Sequence, residues 1–366
     1  MTHQKSIMIV SPYFPPKTGG VENYVYNLAK GLSKKYGLRV VVITSNNELK
    51  EERVEIKEGI KIYRLPRIIH ISNTPINPFW YFKIKRIIND EKPLLINVHS
   101  PVPFIADIAS LACGKIPLIL TYHSGSMKKN NFFPDLIISL YEKYVLPLMY
   151  SKSSKIICSS EFVCKTIPKP YAEKTTVISP AVDTTLFHPN EKIIRDRNTI
   201  LFICRYANMH RMKGFYTILD AIKIISDVKL KVIGEKASVN KENVFFLGVK
   251  NIQDLVNELQ KATMLILPSQ AHVESFGMVL IEGMACKTPV IGTRIGGIPE
   301  VIANGKDGFL VSSNSPNELS KAIKTIINNP NLARKMGEEG YKKIHNNFTW
   351  ENRIDKTYSL FAPYLK

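Results

Sequence analysis

Apolar residues in this chain come in short β-branched runs, separated by segments whose apolar positions repeat every three to four residues. The runs cover residues 7–10, 39–44, 94–98, 118–122, 156–159 and 176–178, then 200–204, 229–233, 244–247, 264–267 and 289–292. Most are continuously apolar instead of alternating, the pattern of strands covered on both faces of a parallel sheet. Segments 22–36, 215–225 and 254–261 carry helical periodicity. Strand and helix alternating from end to end predict a doubly wound α/β architecture. His188-Pro189-Asn190 and the charged run up to Arg197 interrupt the pattern before a fresh strand starts at Thr199. Two open sheets in tandem are expected, with the carboxyl ends of their strands facing a central cleft where ligands bind.

The length of 366 residues suits two such domains. No stretch reaches the roughly 18 uninterrupted apolar residues of a membrane span; residues 135–150 come nearest and are broken by Glu142 and Lys143. The N-terminus lacks a charged-then-apolar leader, so a cytoplasmic protein is expected. Cys113, Cys158, Cys164, Cys204 and Cys286 are scattered and show no zinc-ligand spacing, as buried reduced thiols would. The Asn347 sequon has no role without export.

Charge changes this picture more. Fifty basic against 31 acidic residues give a net charge of +19, which suits an anionic partner: nucleic acid, an acidic membrane or a phosphorylated substrate. From Gly59 to Asn89 there is no acidic residue, only Lys61, Arg64, Arg67, Lys83, Lys85 and Arg86. As a helix, residues 79–88 put Trp80, Ile84, Ile87 and Ile88 on one face, with Lys83, Lys85 and Arg86 mostly off it. Such a segment can lie on an anionic membrane surface or pack on its own domain with a solvated basic face. No recognition helix or RNA-binding motif is present, so nucleic acid is not an expected partner.

Two segments carry candidate chemistry. The first strand runs into a loop ending in Gly19-Gly20, which opens a helix at Val21-Glu22-Asn23. Glycines there let backbone N–H groups approach a ligand, and the helix start favours an anion. The pattern G-x-G-x-x-G occurs nowhere, which disfavours a nicotinamide dehydrogenase. The second segment runs from Leu267 to Ile291. A buried strand ends in Pro268-Ser269, a polar loop carries Glu274, and a helix starting at Phe276-Gly277 carries Glu282 before Thr288-Pro289 ends it. Glu274 can reach hydroxyls in the cleft. The free N–H groups of Phe276, Gly277, Met278 and Val279 can meet a phosphate. Glu282 can accept hydrogen bonds from a ribose diol.

With these motifs in order and spacing, nearly the whole chain resembles the retaining GT-B glycosyltransferases of glycosyltransferase family 4. The most specific element is E-x7-E, Glu274 to Glu282. Gly19-Gly20-Val21-Glu22, Ala181-Val182-Asp183, Lys213-Gly214, Phe246-Leu247-Gly248-Val249, Gly296-Gly297-Ile298-Pro299-Glu300 and Asn304-Gly305-Lys306-Asp307-Gly308 support it. The resemblance implies two Rossmann-like domains: an acceptor-side domain at 1–187, a nucleotide-sugar domain at 188–347, and a C-terminal helix at 348–366 that crosses back to the first. It implies that Glu274 binds donor-sugar hydroxyls and Glu282 the donor ribose. The diphosphate would be flanked by Gly19-Gly20 and the amides at 276–279. Gly248, Val249 and Lys250 would contact the nucleobase. The family's basic pair matches Arg205 and Lys213. Seven residues separate them, more than the family usually shows, and Arg211 lies in the gap; the pairing with Gly214 selects Lys213. Two cations aimed at a departing diphosphate can replace a metal, so no metal or other cofactor is expected. His123, after the strand at 118–122, matches a functional histidine near the reaction centre, although Ser124 follows it where many relatives have an acidic residue. Glu22, Asn23 and His99 read as acceptor-side contacts.

The expectation is a retaining, metal-independent hexosyltransferase. It would move a hexose or N-acetylhexosamine from a nucleotide-diphosphate sugar to a glycan or lipid-linked acceptor, peripheral at the inner membrane face through Trp80, Lys83, Lys85 and Arg86. Alternatives are a transferase for a soluble acceptor and a catalytically silent sugar-nucleotide binder.

Overall fold

The computed structural model describes residues 4–17, 19–46, 51–71, 74–124, 132–235, 242–270 and 274–366. The chain divides into two compact units, one formed by Met1–Ser179 with Trp350–Lys366 and the other by Pro180–Thr349. The sequence pattern put the first boundary after residue 187. Val182 and Phe187 instead bury in the core of the second unit, and the Val182 N–H donates to the Phe348 carbonyl at 2.9 Å.

The first unit contains β1 (Ser6–Val10), β2 (Arg39–Asn46), β3 (Arg53–Lys57), β4 (Ile60–Pro66), β5 (Ile69–Ile71), β6 (Thr74–Ile76), β7 (Leu95–Ser100), β8 (Leu118–Tyr122), β9 (Lys155–Cys158) and β10 (Thr175–Val177). Eight of them form one sheet in the order β10-β9-β8-β7-β1-β2-β4-β3, while β5 and β6 pair separately. All neighbours in the large sheet run parallel except β3, which is antiparallel to β4. The inner strands are buried along their length, as their unbroken apolar runs require. Edge strand β3 is mostly exposed, and its Arg53, Glu55 and Lys57 discourage pairing with another chain.

Two helices of this unit matter for function. Trp80–Glu91 buries Trp80, Ile84, Ile87 and Ile88 in the unit's own core. Trp80 is fully buried and its indole N–H donates to the Pro66 carbonyl at 2.8 Å. Trp80 is therefore not a membrane-facing residue: the apolar face read from the sequence meets protein. Lys83 and Arg86 pair with Glu52 at 2.7 and 2.8 Å, and Lys85 Nζ lies 3.4 Å from the Ala112 carbonyl. The aromatics left outside are Phe79 and Phe82, 61% and 71% exposed. The last helix, Trp350–Phe361, packs on Gly20–Tyr36. Tyr358 stacks on Tyr36 with centroids 3.6 Å apart, and Lys35 pairs with Asp355 at 2.6 Å. Arg353 is buried and donates to the carbonyls of Ile178 and Ser179.

The second unit contains β11 (Thr199–Ile203), β12 (Lys229–Ile233), β13 (Val244–Phe246), β14 (Met264–Leu267), β15 (Val290–Thr293) and β16 (Gly308–Val311). They form an all-parallel sheet in the order β13-β12-β11-β14-β15-β16. Among the described residues, no helix of the chain is long and apolar enough to cross a membrane.

Candidate functional site

In a doubly wound sheet, the loops after two neighbouring strands part where the strand order reverses, and ligands bind there. The first sheet reverses between β1 and β7, the second between β11 and β14. The candidate residues collect after these strands and their neighbours.

In the first unit, the loop after β1 leads through Gly19 to the helix Gly20–Tyr36. Glu22 is buried in its first turn, whereas Asn23 is exposed and its N–H bonds back to the Gly19 carbonyl at 3.1 Å. His99 lies within β7, fully buried. Its Nε2 is 2.9 Å from Asn97 Oδ1 and its Nδ1 is 2.9 Å from His123 Nε2. With both ring nitrogens engaged inside the protein, His99 cannot be the direct acceptor contact that its place near a strand end implied. His123 follows β8, is partly exposed, and its backbone N–H donates to the Ser100 carbonyl at 3.0 Å. Burial holds the His123 imidazole down at about 4. Burial, with His123 alongside, holds His99 well below the usual range. The pair is neutral at pH 7. Tyr24 closes over it, its ring 5.5 Å from His99 and 4.9 Å from His123.

Asn97 belongs to this group and was not singled out from the sequence. The signal was present: an asparagine inside the apolar run Leu94-Leu95-Ile96-Asn97-Val98. A polar group there must be hydrogen-bonded, and buried polar groups inform more than buried apolar ones.

In the second unit the charged residues meet. Lys213 Nζ pairs with Glu274 Oε2, and Ser269 Oγ donates to the same oxygen at 3.3 Å. Burial works to lower the Lys213 ammonium, but attraction and hydrogen bonding from Glu274 outweigh it and raise the pKa. Lys213 is therefore charged at any working pH. The long Arg205-to-Lys213 loop is anchored by His210, buried against Phe202 and Phe215 with centroids 6.0 and 4.9 Å away. Gly214 then takes φ +81°, and a Cβ there would stand 1.8 Å from the Pro268 carbonyl oxygen. That approach brings Lys213 to Glu274, so only glycine serves after the lysine. Gly296 does the same for the glutamate: its φ is +60°, and a Cβ would stand 1.9 Å from the Glu274 carbonyl oxygen. Arg205 is exposed, with its guanidinium 5.6 Å from the Tyr206 ring centre. Arg211 lines a separate open recess of about 660 Å³ with Tyr216, Asp220 and Gln270.

The helix Met278–Ala285 starts from Gly277 at φ +91° with no side-chain cap. Its first N–H groups have no intrahelical partner, and Phe276 is anchored edge-on to Phe348 at 5.5 Å. Glu282 lies on this helix, partly exposed, and desolvation pushes its carboxyl up to about 7. Gly248 at φ +70° and Val249 are exposed beyond β13, with Lys250 partly so. Ala271, His272 and Val273 lie outside the described residues.

Comparison with known proteins joins these features. Residues 18–186 match the glycosyltransferase family 4 model and residues 183–343 the model for glycosyl transferases group 1. An uncharacterized glycosyltransferase of Methanocaldococcus jannaschii is 31% identical over 363 residues, 95% of each chain. The O-antigen chain mannosyltransferase C of Escherichia coli is 25% identical over 98% of each. Among solved structures, HepE of Anabaena in complex with UDP and glucose superposes with a TM-score of 0.74 at 18% identity, over 98% of this chain and all of that one. Two doubly wound sheets in tandem, parallel but for the edge strand β3, each with its candidate residues near the point of strand reversal, are the GT-B fold, and this chain belongs to glycosyltransferase family 4.

Proposed function

We propose that this glycosyltransferase retains anomeric configuration, needs no metal, and moves a hexose or N-acetylhexosamine from a nucleotide-diphosphate sugar. The observation that carries this reading is the Lys213–Glu274 pair beside the uncapped helix at Met278. When the bond from the anomeric carbon to the diphosphate breaks, negative charge grows on the leaving group. Lys213, Arg205 and the first N–H groups of the helix stabilise that charge. Glu274 holds Lys213 in place and takes sugar hydroxyls with its remaining oxygen. Glu282 takes the ribose diol. The acceptor oxygen bonds to the anomeric carbon on the face the diphosphate leaves, and its proton goes to a departing phosphate oxygen. The UDP and glucose in the Anabaena complex support a nucleotide-sugar donor.

The test is thermal unfolding against UDP- and GDP-linked glucose, galactose, mannose and N-acetylglucosamine, with and without EDTA. One donor should raise the midpoint by mass action, and EDTA should leave that shift unchanged. A shift abolished by EDTA would overturn metal independence.

For the acceptor, we propose a glycan or lipid-linked glycan at the cytoplasmic membrane face. The mannosyltransferase relative builds O-antigen chains by its name. In this protein, Phe79, Phe82, Ile69 and Ile71 are all more than half exposed, and Lys83, Lys85 and Arg86 lie on the helix that carries Phe82. Flotation with anionic liposomes should carry the protein up, and Phe82→Ser should weaken it. Absence of binding at low salt would favour a soluble acceptor.

A further inference from the structure

We infer that Asn97 and His99 are positioning residues that lock His123 in one tautomer, so that His123 meets the transferred sugar as a neutral hydrogen-bond acceptor through Nδ1. The inference rests on the reading of His123 as a group at the sugar.

The argument starts from an atom whose role is fixed. The Ile119 carbonyl can only accept, and Asn97 Nδ2 lies 2.9 Å from it and 3.0 Å from Thr121 Oγ1. The amide end of Asn97 therefore faces β8, and its Oδ1 is the end that faces His99. An amide oxygen only accepts, so His99 Nε2, at 2.9 Å, carries a proton. His99 is neutral, so its Nδ1 is bare. That bare nitrogen lies 2.9 Å from His123 Nε2, which must therefore carry the proton they share. Neutral His123 has one ring proton, and its Nδ1 is left as an acceptor.

The reverse arrangement needs a charged His99, fully buried with His123 alongside and, among the described residues, with no carboxylate paired to its ring. Tyr24 is the titratable side chain packed on both rings, and the cation beyond it, Arg353, lies 4.4 Å from the Tyr24 ring centre. Burial and the neighbouring His123 both oppose charge on His99.

Placement argues that this relay serves something. Asn97 and His99 are two apart on β7 and share one face of the sheet, and His123 follows Thr121 by two at the end of β8. In the register, Asn97 stands beside Ile119 and His99 beside Thr121. A line of polar groups thus runs through an otherwise apolar sheet to the carboxyl end of the strands. Apolar side chains would pack there without any bonds to satisfy. A sugar hydroxyl donating to Nδ1 would complete the line.

Two variants separate positioning from packing. His99→Phe keeps a ring and removes both bonds. His99→Gln keeps a donor for Asn97 and an acceptor for His123. With the donor found by the thermal panel, His99→Phe should lower kcat about tenfold, the cost of one transition-state hydrogen bond, while KM for donor stays within about twofold. His99→Gln should restore most of kcat. Long-range nitrogen–proton NMR on imidazole-labelled protein should show His123 protonated on Nε2 and bare on Nδ1 in the wild type, and a mixed state in His99→Phe. A wild-type His123 protonated on Nδ1, or an unchanged kcat in His99→Phe, overturns the inference. His123→Ala is the control for the underlying reading. Full activity there removes His123 from the reaction and the positioning role with it, whatever the NMR shows.

Discussion

The two points of strand reversal are built from opposite materials. In the first unit the polar groups are Asn97, His99 and His123, all neutral, bonded in a line and closed over by Tyr24. In the second, Lys213 and Glu274 carry full charges in contact, with Arg205 nearby in sequence and an uncapped helix start behind them. The same fold therefore supplies one end suited to hydroxyls and one suited to phosphates. Neutral donors and acceptors orient a sugar without favouring charge. Charged groups in a partly buried setting act on charge that develops during bond breaking, where they are worth most. The difference teaches that position in a doubly wound sheet fixes where a ligand binds, while the residues at the strand ends and in the loops after them fix what the site does to it.

Lys213→Ala probes this contrast hardest. It leaves Glu274 buried without its cation, and kcat should fall by roughly 10² to 10³, with circular dichroism unchanged. Lys213→Arg keeps the charge and should recover part of the loss. Turnover within threefold of wild type in Lys213→Ala would take leaving-group stabilisation away from the second unit.

A smaller effect comes from pH. Glu282 is pushed up to about 7 by burial, so it ionises across the neutral range. A carboxylate accepts from a ribose diol more strongly than a carboxylic acid does. Donor Kd should fall by up to about tenfold from pH 6 to pH 8, following the ionised fraction. Calorimetry in two buffers should show proton release on binding. His123, held at about 4 by burial, should contribute nothing over that range. A Kd that is flat in pH would remove Glu282 from the ribose.

The smallest effect is on stability. His123 titrates near 6.5 when unfolded and at about 4 when folded. The native state thus binds fewer protons, and this contribution is fully present above about 6.5 and lost as pH falls toward 4. His123→Leu should flatten the acid side of the unfolding-midpoint curve by a few degrees at most. A curve as steep as wild type would show that another group sets acid stability.

The fold was legible at most strands covered on both faces, because burial leaves unbroken apolar runs such as Leu118-Ile119-Leu120 and Met264-Leu265-Ile266-Leu267, but not at β4, where Lys61 and Arg64 break the run. It was not legible at β3 and β5, which are exposed edges where sheet pairing, not patterning, holds the strand. Trp80 shows a second limit. Helical periodicity says that one face is apolar, but not whether lipid or protein covers it. His99 shows a third: a strand end tells where a side chain lies along the sheet, not how deep. Lys213 and Glu274 were each singled out by the family motifs, but their pairing was not: it depends on the close backbone approaches at Gly214 and Gly296.

The final helix, Trp350–Phe361, has a consequence for how the protein is made. It completes the first unit by packing on Gly20–Tyr36, yet it is synthesised only after the whole second unit. The second unit is encoded without interruption and can close as soon as it emerges. The first must wait, with the Ile354 contact at Gly31 and the Arg353 bonds to Ile178 and Ser179 still to be formed. Synthesis order and folding order are therefore reversed, and a nascent chain stopped short of Trp350 would hold a finished second unit tethered to an open first one.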